Sequence, residues 1–209
     1  YSAKGLSADQ AALVEPLTIG YYAVQLSGDL KGKRIGILGS GPIGLSVLLT
    51  ARAAGAAAVY MTDRLDYRLD AAREQGAAWT GNPDRTDIVH EILQREPLEL
   101  DLVFECCGQQ SAFEQALELA KPMGRIVIVG IPETDRISFP VHDARRKGLT
   151  FINVRRQNEC IAPVIDLIDD GRINPDFLIT HRFGLDQAHR AFELLADYRD
   201  GIIKAIVDI

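Results

Sequence analysis

From Lys33 onward the chain alternates short, nearly unbroken apolar runs with longer segments in which apolar residues return at helical spacing. The runs "RIGIL", "AVYMT", "DLVFE" and "GRIVIVG" are rich in β-branched residues and lack polar alternation, which predicts strands buried on both faces of a parallel sheet. The segments between them, "IGLSVLLTARAAG", "LDYRLDAAREQGA", "TDIVHEILQRE" and "QSAFEQALELAKPMG", predict helices, several of them closed by Gly or Pro. Strand and helix in alternation predict an α/β fold with a doubly wound parallel sheet.

The two ends differ from this middle. "SADQAALVEPLTIGYYAVQLSG" predicts a helix with Ser7 or Asp9 as its cap, and "GLDQAHRAFELLADYRDG" a second amphipathic helix. The closing "IIKAIVDI" reads as a strand with no evident neighbour. So apolar a terminal strand needs a sheet to join, which points to part of a larger protein being missing. "LTFINV" reads as the far edge of the main sheet, and an uncovered edge between Leu149 and Val154 predicts a homodimer or homotetramer built through it.

Composition narrows the class of partner. At 209 residues, 47% hydrophobic and 25% charged, the chain has the make-up of an ordinary globular protein, of one domain or two. A net charge of −6 offers no basic surface for nucleic acid or an anionic membrane, which favours a small molecule. No apolar run approaches the roughly 18 residues of a membrane span, and "YSAKGLSADQ" lacks the apolar core of a signal peptide, so a cytoplasmic location is expected. Cys106, Cys107 and Cys160 fit no disulfide or metal spacing and read as reduced thiols, at a buried strand end and in a helix. His90, His142, His181 and His189 form no close pair at metal-binding spacing.

The chemistry-bearing stretch is "KRIGILGSGPIGLSVLLTARAAG". Gly39, Gly41 and Gly44 follow a predicted strand directly and open a predicted helix, the setting in which GxGxxG binds a dinucleotide. Gly39 permits a tight turn, Gly41 clears a Cβ from the path of a pyrophosphate, and Gly44 lets helix and strand pack closely. Pro42 begins the helix where no amide is needed, and the helix N-terminus offers free N–H groups to an anion. A Walker-type loop would require Gly-Lys-Ser/Thr, whereas Leu45 and Ser46 follow Gly44. About 20 residues beyond the loop, at the end of the second strand, Asp63 stands where a carboxylate accepts the ribose hydroxyls. Its charge disfavours a 2′-phosphate and so favours NAD over NADP, a preference that neighbouring Arg64 softens. "ECCG" and "VGIP" lie at the ends of later strands, where Gly108 and Gly130 let backbone approach the cofactor.

The ordered set "ALVEPLTIGYYAV", "GSGPIG", "TDRLDYRLDAAREQGA", "DLVFECCG", "GRIVIVGIP", "LITHRF" and "AHRAFELL" resembles the medium-chain dehydrogenase/reductase superfamily, specifically its zinc-dependent sorbitol and polyol dehydrogenase branch, over nearly the full chain. The resemblance implies a Rossmann-type NAD-binding domain over residues 30–180. It makes residues 1–29 a linker helix and remnant of a catalytic domain, and residues 181–209 a helix and strand returning to that domain. It implies that Gly39, Gly41, Pro42, Ile43 and Gly44 hold the pyrophosphate and Asp63 the adenosine ribose, with Arg68 near the adenine and Arg64 beside the ribose acid. Cys107, Gly108, Val129, Gly130 and Ile131 then line the cofactor at the later strand ends. Val154 and Arg155 fall near the nicotinamide, with Val154 where the branch carries an aromatic residue. Glu15 falls at or near the catalytic zinc, and the other zinc ligands belong to an N-terminal domain absent from this sequence. The implied activity is hydride transfer between a secondary alcohol or polyol and NAD. Two other readings stay open: an NAD-sensing or scaffolding domain, and a zinc-free NADPH-dependent quinone or enoyl reductase.

Overall fold

The computed structural model describes residues 5–209; residues 1–4, which begin the stretch "YSAKGLSADQ", lie outside the described residues. Six strands form one parallel sheet: β1 (Arg34–Leu38), β2 (Ala58–Thr62), β3 (Trp79–Gly81), β4 (Leu100–Glu105), β5 (Ala120–Ile128) and β6 (Thr150–Asn153), in the spatial order β3-β2-β1-β4-β5-β6. The order reverses between β1 and β4. Crossovers of one hand therefore send the first helices to one face of the sheet and the later ones to the other.

Helices α1 (Ala8–Ser27), α2 (Pro42–Ala53), α3 (Asp66–Glu74) and α7 (Ile161–Asp169) cover one face, with Ile35, Ile37, Leu102, Phe104 and Val127 pointing into that layer. On the opposite face α4 (Ile88–Arg95), α5 (Gln110–Leu119) and α6 (Val141–Lys147) cover Leu38, Leu100, Val103 and Ile126. Alternate residues of single strands thus feed two cores, which is why the apolar runs show no polar alternation.

The predicted strands and helices form, with local corrections. β3 escapes the sequence pattern, because three residues are too few to show a period. The helix expected to run on to Gly124 stops at Leu119. Pro122 supplies no N–H, Met123 takes φ 61°, and the chain from Ala120 pairs with β4 instead. Lys147 closes that helix end by donating to the Leu117, Glu118 and Ala120 carbonyls at 3.3, 2.8 and 2.8 Å. Cys160, expected inside a helix, is buried just before α7 as its N-cap residue.

At the N-terminal end Ser7 is the cap, with Gln10 completing a capping box through two 3.1 Å bonds. At the other end the unpartnered strand finds its neighbour: β8 (Lys204–Asp208) runs parallel to β7 (Ile179–Gly184) in a separate two-stranded sheet, beside α8 (Ala188–Ala196). The boundary drawn from the sequence at residues 180 and 181 falls inside β7. Among the described residues no helix is long and apolar enough to cross a membrane.

Candidate dinucleotide site

The carboxyl ends of β1 and β4 flank the point where the strand order reverses, the position at which open α/β sheets bind ligands, with those of β2 and β5 beside them. Gly39 leaves β1 with φ 103°, a conformation an L side chain rarely adopts, and donates its N–H to the Thr62 carbonyl at 2.9 Å. Gly41 is the N-cap residue of α2 and Pro42 its first residue. No side chain caps this helix, so its first-turn amides face the crevice without protein partners. A Cβ on Gly44 would overlap the Gly39 carbonyl oxygen, so the tightness of the turn depends on that glycine. Ile43 is half-buried against the core.

Asp63 follows β2 and organises this loop. Its Oδ2 accepts the Ser40 N–H at 2.8 Å and its Oδ1 the Leu65 N–H at 2.9 Å. Each carboxylate oxygen keeps a lone pair beyond these bonds. Arg68 lies beside it with 3.8 Å between Nη1 and Oδ2, and the Arg68 Nε is buried with no hydrogen-bond partner. Arg64, by contrast, points to solvent and pairs with Asp84 at 2.8 Å, so the cation adjoining Asp63 in space is Arg68.

On the far side of the reversal, Glu105 ends β4 fully buried. Its Oε1 accepts the Cys107 and Gly108 N–H groups at 2.9 and 2.7 Å, while Oε2 has no partner. Its backbone carbonyl accepts the Val129 and Gly130 N–H groups at 2.8 and 2.9 Å. One residue therefore fixes the turns after both β4 and β5. Sequence reasoning assigned it no role, although a carboxylate closing the apolar run "LDLVFE" was a signal in plain view. Cys107 sits in this turn with Sγ 3.2 Å from Glu105 Oε1. Desolvation first, then the Glu105 charge, push the half-buried Cys106 thiol well above its ordinary range and raise that of Cys107, which stands exposed rather than at a buried strand end. Val129 is buried, Ile131 is exposed, and Gly130, Ile131 and Val154 border one shallow depression at the ends of β5 and β6, with Arg155 exposed just beyond. A second depression, between α1, α2 and α7, is lined at the C-terminal end of α2 and lies away from the loop that opens that helix.

The uncapped helix, the cradle at Gly41 and Gly44, and the orphaned Arg68 and Glu105 atoms fit a dinucleotide. Zinc does not fit in the same way. Glu15 is exposed on α1, and among the described residues no group of three His, Cys, Asp or Glu side chains is placed to hold a metal ion.

Residues 42–170, from the first residue of α2 to the end of α7, match the family model described as "Zinc-binding dehydrogenase". The chain belongs to this zinc-binding dehydrogenase family. It is 34% identical over 203 residues to L-threonine 3-dehydrogenase of Bacillus licheniformis, an alignment spanning 91% of this chain and 56% of that protein. The crystal structure of 2R,3R-butanediol dehydrogenase from Bacillus subtilis superposes with a TM-score of 0.91 at 31% identity, over 99% of this chain and 59% of that one. A structure from Sinorhizobium meliloti 1021, assigned to the zinc-binding dehydrogenases and bound to NADP, gives a TM-score of 0.88 at 30% identity, over 96% and 59%. This member of the family thus spans somewhat more than half the length of the relatives it matches.

Proposed function

We propose that this chain supplies the coenzyme-binding half of an NAD-dependent alcohol or polyol dehydrogenase. The coenzyme, when bound, would supply the hydride acceptor for the alcohol carbon through its nicotinamide ring. The protein's own work in this reading is binding and orientation. The free amides of α2 and the loop from Gly39 to Gly44 neutralise the pyrophosphate, and Asp63 accepts the hydrogen bonds of the adenosine ribose. Cys107, Gly108, Val129, Gly130 and Ile131 form a wall at the nicotinamide side, held rigid by the double tie to Glu105. Val154 and Arg155 extend that wall beyond β6. Glu15 would contribute at most one metal ligand, where a catalytic zinc takes about three from protein. Self-association through β6, the exposed edge of the sheet, belongs to the same proposal.

The observation that carries the coenzyme choice is the Asp63 carboxylate, fixed by two amides at the mouth of the glycine loop. The competing preference for NADP has its own support, in Arg68 beside that carboxylate and in the NADP-bound relative. Fluorescence titration of the chain with NADH and NADPH decides between them. NADH binds more tightly, and Asp63→Ala narrows the gap. Equal affinities in the unmutated chain would overturn the NAD assignment, and no binding of either would overturn the dinucleotide site.

A further inference from the structure

Helix α8 ends in a pattern that normally calls for glycine. The Arg199 N–H bonds the Leu194 carbonyl at 3.1 Å and the Tyr198 N–H the Leu195 carbonyl at 3.4 Å, the paired bonds of a Schellman cap. The residue at the left-handed position of that cap is Tyr198, with φ 53°. Gly or Asn sits there at little steric cost, whereas a bulky aromatic residue does not. Strain of this kind persists where the surroundings hold it and the side chain has work to do.

The Tyr198 ring lies over the Arg68 guanidinium, with 5.1 Å from its carbon to the ring centroid. Tyr67 stands on the same guanidinium at 5.8 Å and donates its hydroxyl to the Ile202 carbonyl at 3.2 Å, tying the C-terminal segment to α3. Arg68 is thus held by two aromatic rings and the Asp63 carboxylate. Its Nη1 lies 3.4 Å from where a Cβ on Gly41 would stand. The guanidinium occupies the space between the glycine loop and the ribose acceptor. A guanidinium there is the group that accommodates a 2′-phosphate when free to turn toward it.

We infer that Tyr198 is a positioning residue for coenzyme selectivity: by stacking on Arg68 it keeps the guanidinium turned to Asp63 and withholds it from a 2′-phosphate. The inference rests on the dinucleotide-site reading. It adds to that reading a residue from the C-terminal flank, more than a hundred positions from the fingerprint.

The decisive variant is Tyr198→Gly, which suits the left-handed cap and leaves the helix end intact. NADH and NADPH dissociation constants are measured by fluorescence on the 209-residue chain, with melting temperature as the control for folding. The expected result is a melting temperature unchanged or higher, together with a fall of about fivefold in the ratio of the NADPH to the NADH constant. Tyr198→Phe, which keeps the ring, stays within about twofold of the parent. In an Arg68→Ala background the Tyr198→Gly change leaves the ratio where it was, because the tyrosine acts only through the arginine. An unaltered ratio in Tyr198→Gly, or an effect that persists without Arg68, overturns the inference while leaving the dinucleotide site standing. Failure of the parent chain to bind either coenzyme overturns both.

Discussion

The six-stranded sheet and the two-stranded sheet are both parallel, yet they are held by different physics. The larger is sandwiched between two apolar layers, with Phe104, Ile35, Ile37 and Val103 fully buried. Beside the smaller, the buried cluster consists of Phe183, Ala191 and Ile202, while Leu185, Phe192 and Ile209 stand exposed. Leu178 and Ile203, just before its two strands, are buried in the main core, and polar ties fasten the rest of the small sheet. Arg182 of β7 reaches Asp9 at the start of α1 at 2.5 Å and Asp208 of β8 at 2.7 Å, and Thr180 Oγ1 accepts the Ile203 N–H at 2.9 Å. Exposed ion pairs of this kind contribute little individually. Burial on both faces makes one sheet a rigid platform for a ligand, whereas burial on one side leaves the other an appendage of lower local stability.

The sharpest break between the regions is expected from matched core truncations. Phe104→Ala removes a fully buried ring from the platform and should lower unfolding free energy by about 3–5 kcal/mol. Phe183→Ala should cost the global transition distinctly less and act mainly on local opening of β7 and β8. Urea unfolding of both variants, with amide exchange of the Phe183 variant, makes the comparison, and equal global losses would mean that the two sheets unfold as one cooperative body.

Next in size is the glycine turn. Gly44→Ala forces a methyl group against the Gly39 carbonyl and should cost about 1–3 kcal/mol, with a loss of NADH binding larger than that destabilisation explains. Normal NADH affinity in a folded Gly44→Ala chain would separate the turn from the binding site.

An acid titration addresses the base of the platform. Burial by itself raises the Asp101 carboxyl, but the Lys121 hydrogen bond at 2.5 Å, the Arg34 amide at 2.8 Å and the lysine charges outweigh it and leave Asp101 below its ordinary 3.8. A carboxyl depressed in the folded state stabilises fully above its unfolded value, and that contribution is lost as pH falls through the folded value. The stability gap between the parent and Asp101→Asn should therefore be present at neutral pH and shrink below about pH 4. A gap independent of pH would assign the Asp101 contribution to hydrogen bonding without charge.

The smallest effect is expected from Arg182→Ala. Amide protection should fall across β8 and the first turn of α1, with the melting temperature of the main transition hardly moved. Exchange mass spectrometry reads this directly, and a large drop in the main transition would show that the polar ties support the platform as well.

These contrasts mirror what could be read from the residues in order. The glycine loop, β1, α2, β2 and Asp63 lie within one short stretch, and local chemistry specifies them: a glycine where φ must be positive, a proline at the first helical position, a carboxylate at a strand end. β3 and the end of α5 were harder, because their limits come from pairing with a neighbouring strand and from Lys147 reaching across to the helix carbonyls. The partner of β8 was invisible for the same reason: β7 is half polar in pattern, and its match to β8 exists only once the chain has folded back.

The sequence by itself determined the alternation from β1 through α2, β2 and α3 and from α4 through β4, α5 and β5, together with the glycine fingerprint and the acid that follows it, since each depends on residues near one another along the chain. The tertiary structure alone decided that Arg68, not Arg64, faces Asp63, that Glu105 anchors two turns at once, and that Tyr198 lies on Arg68. The tie from Glu105 to Val129 and Gly130 is made by a crossover, and the stack of Tyr198 on Arg68 by the packing of the C-terminal flank. A side chain's partner across such a distance is set by three-dimensional packing and buried polar satisfaction, which one-dimensional periodicity does not encode.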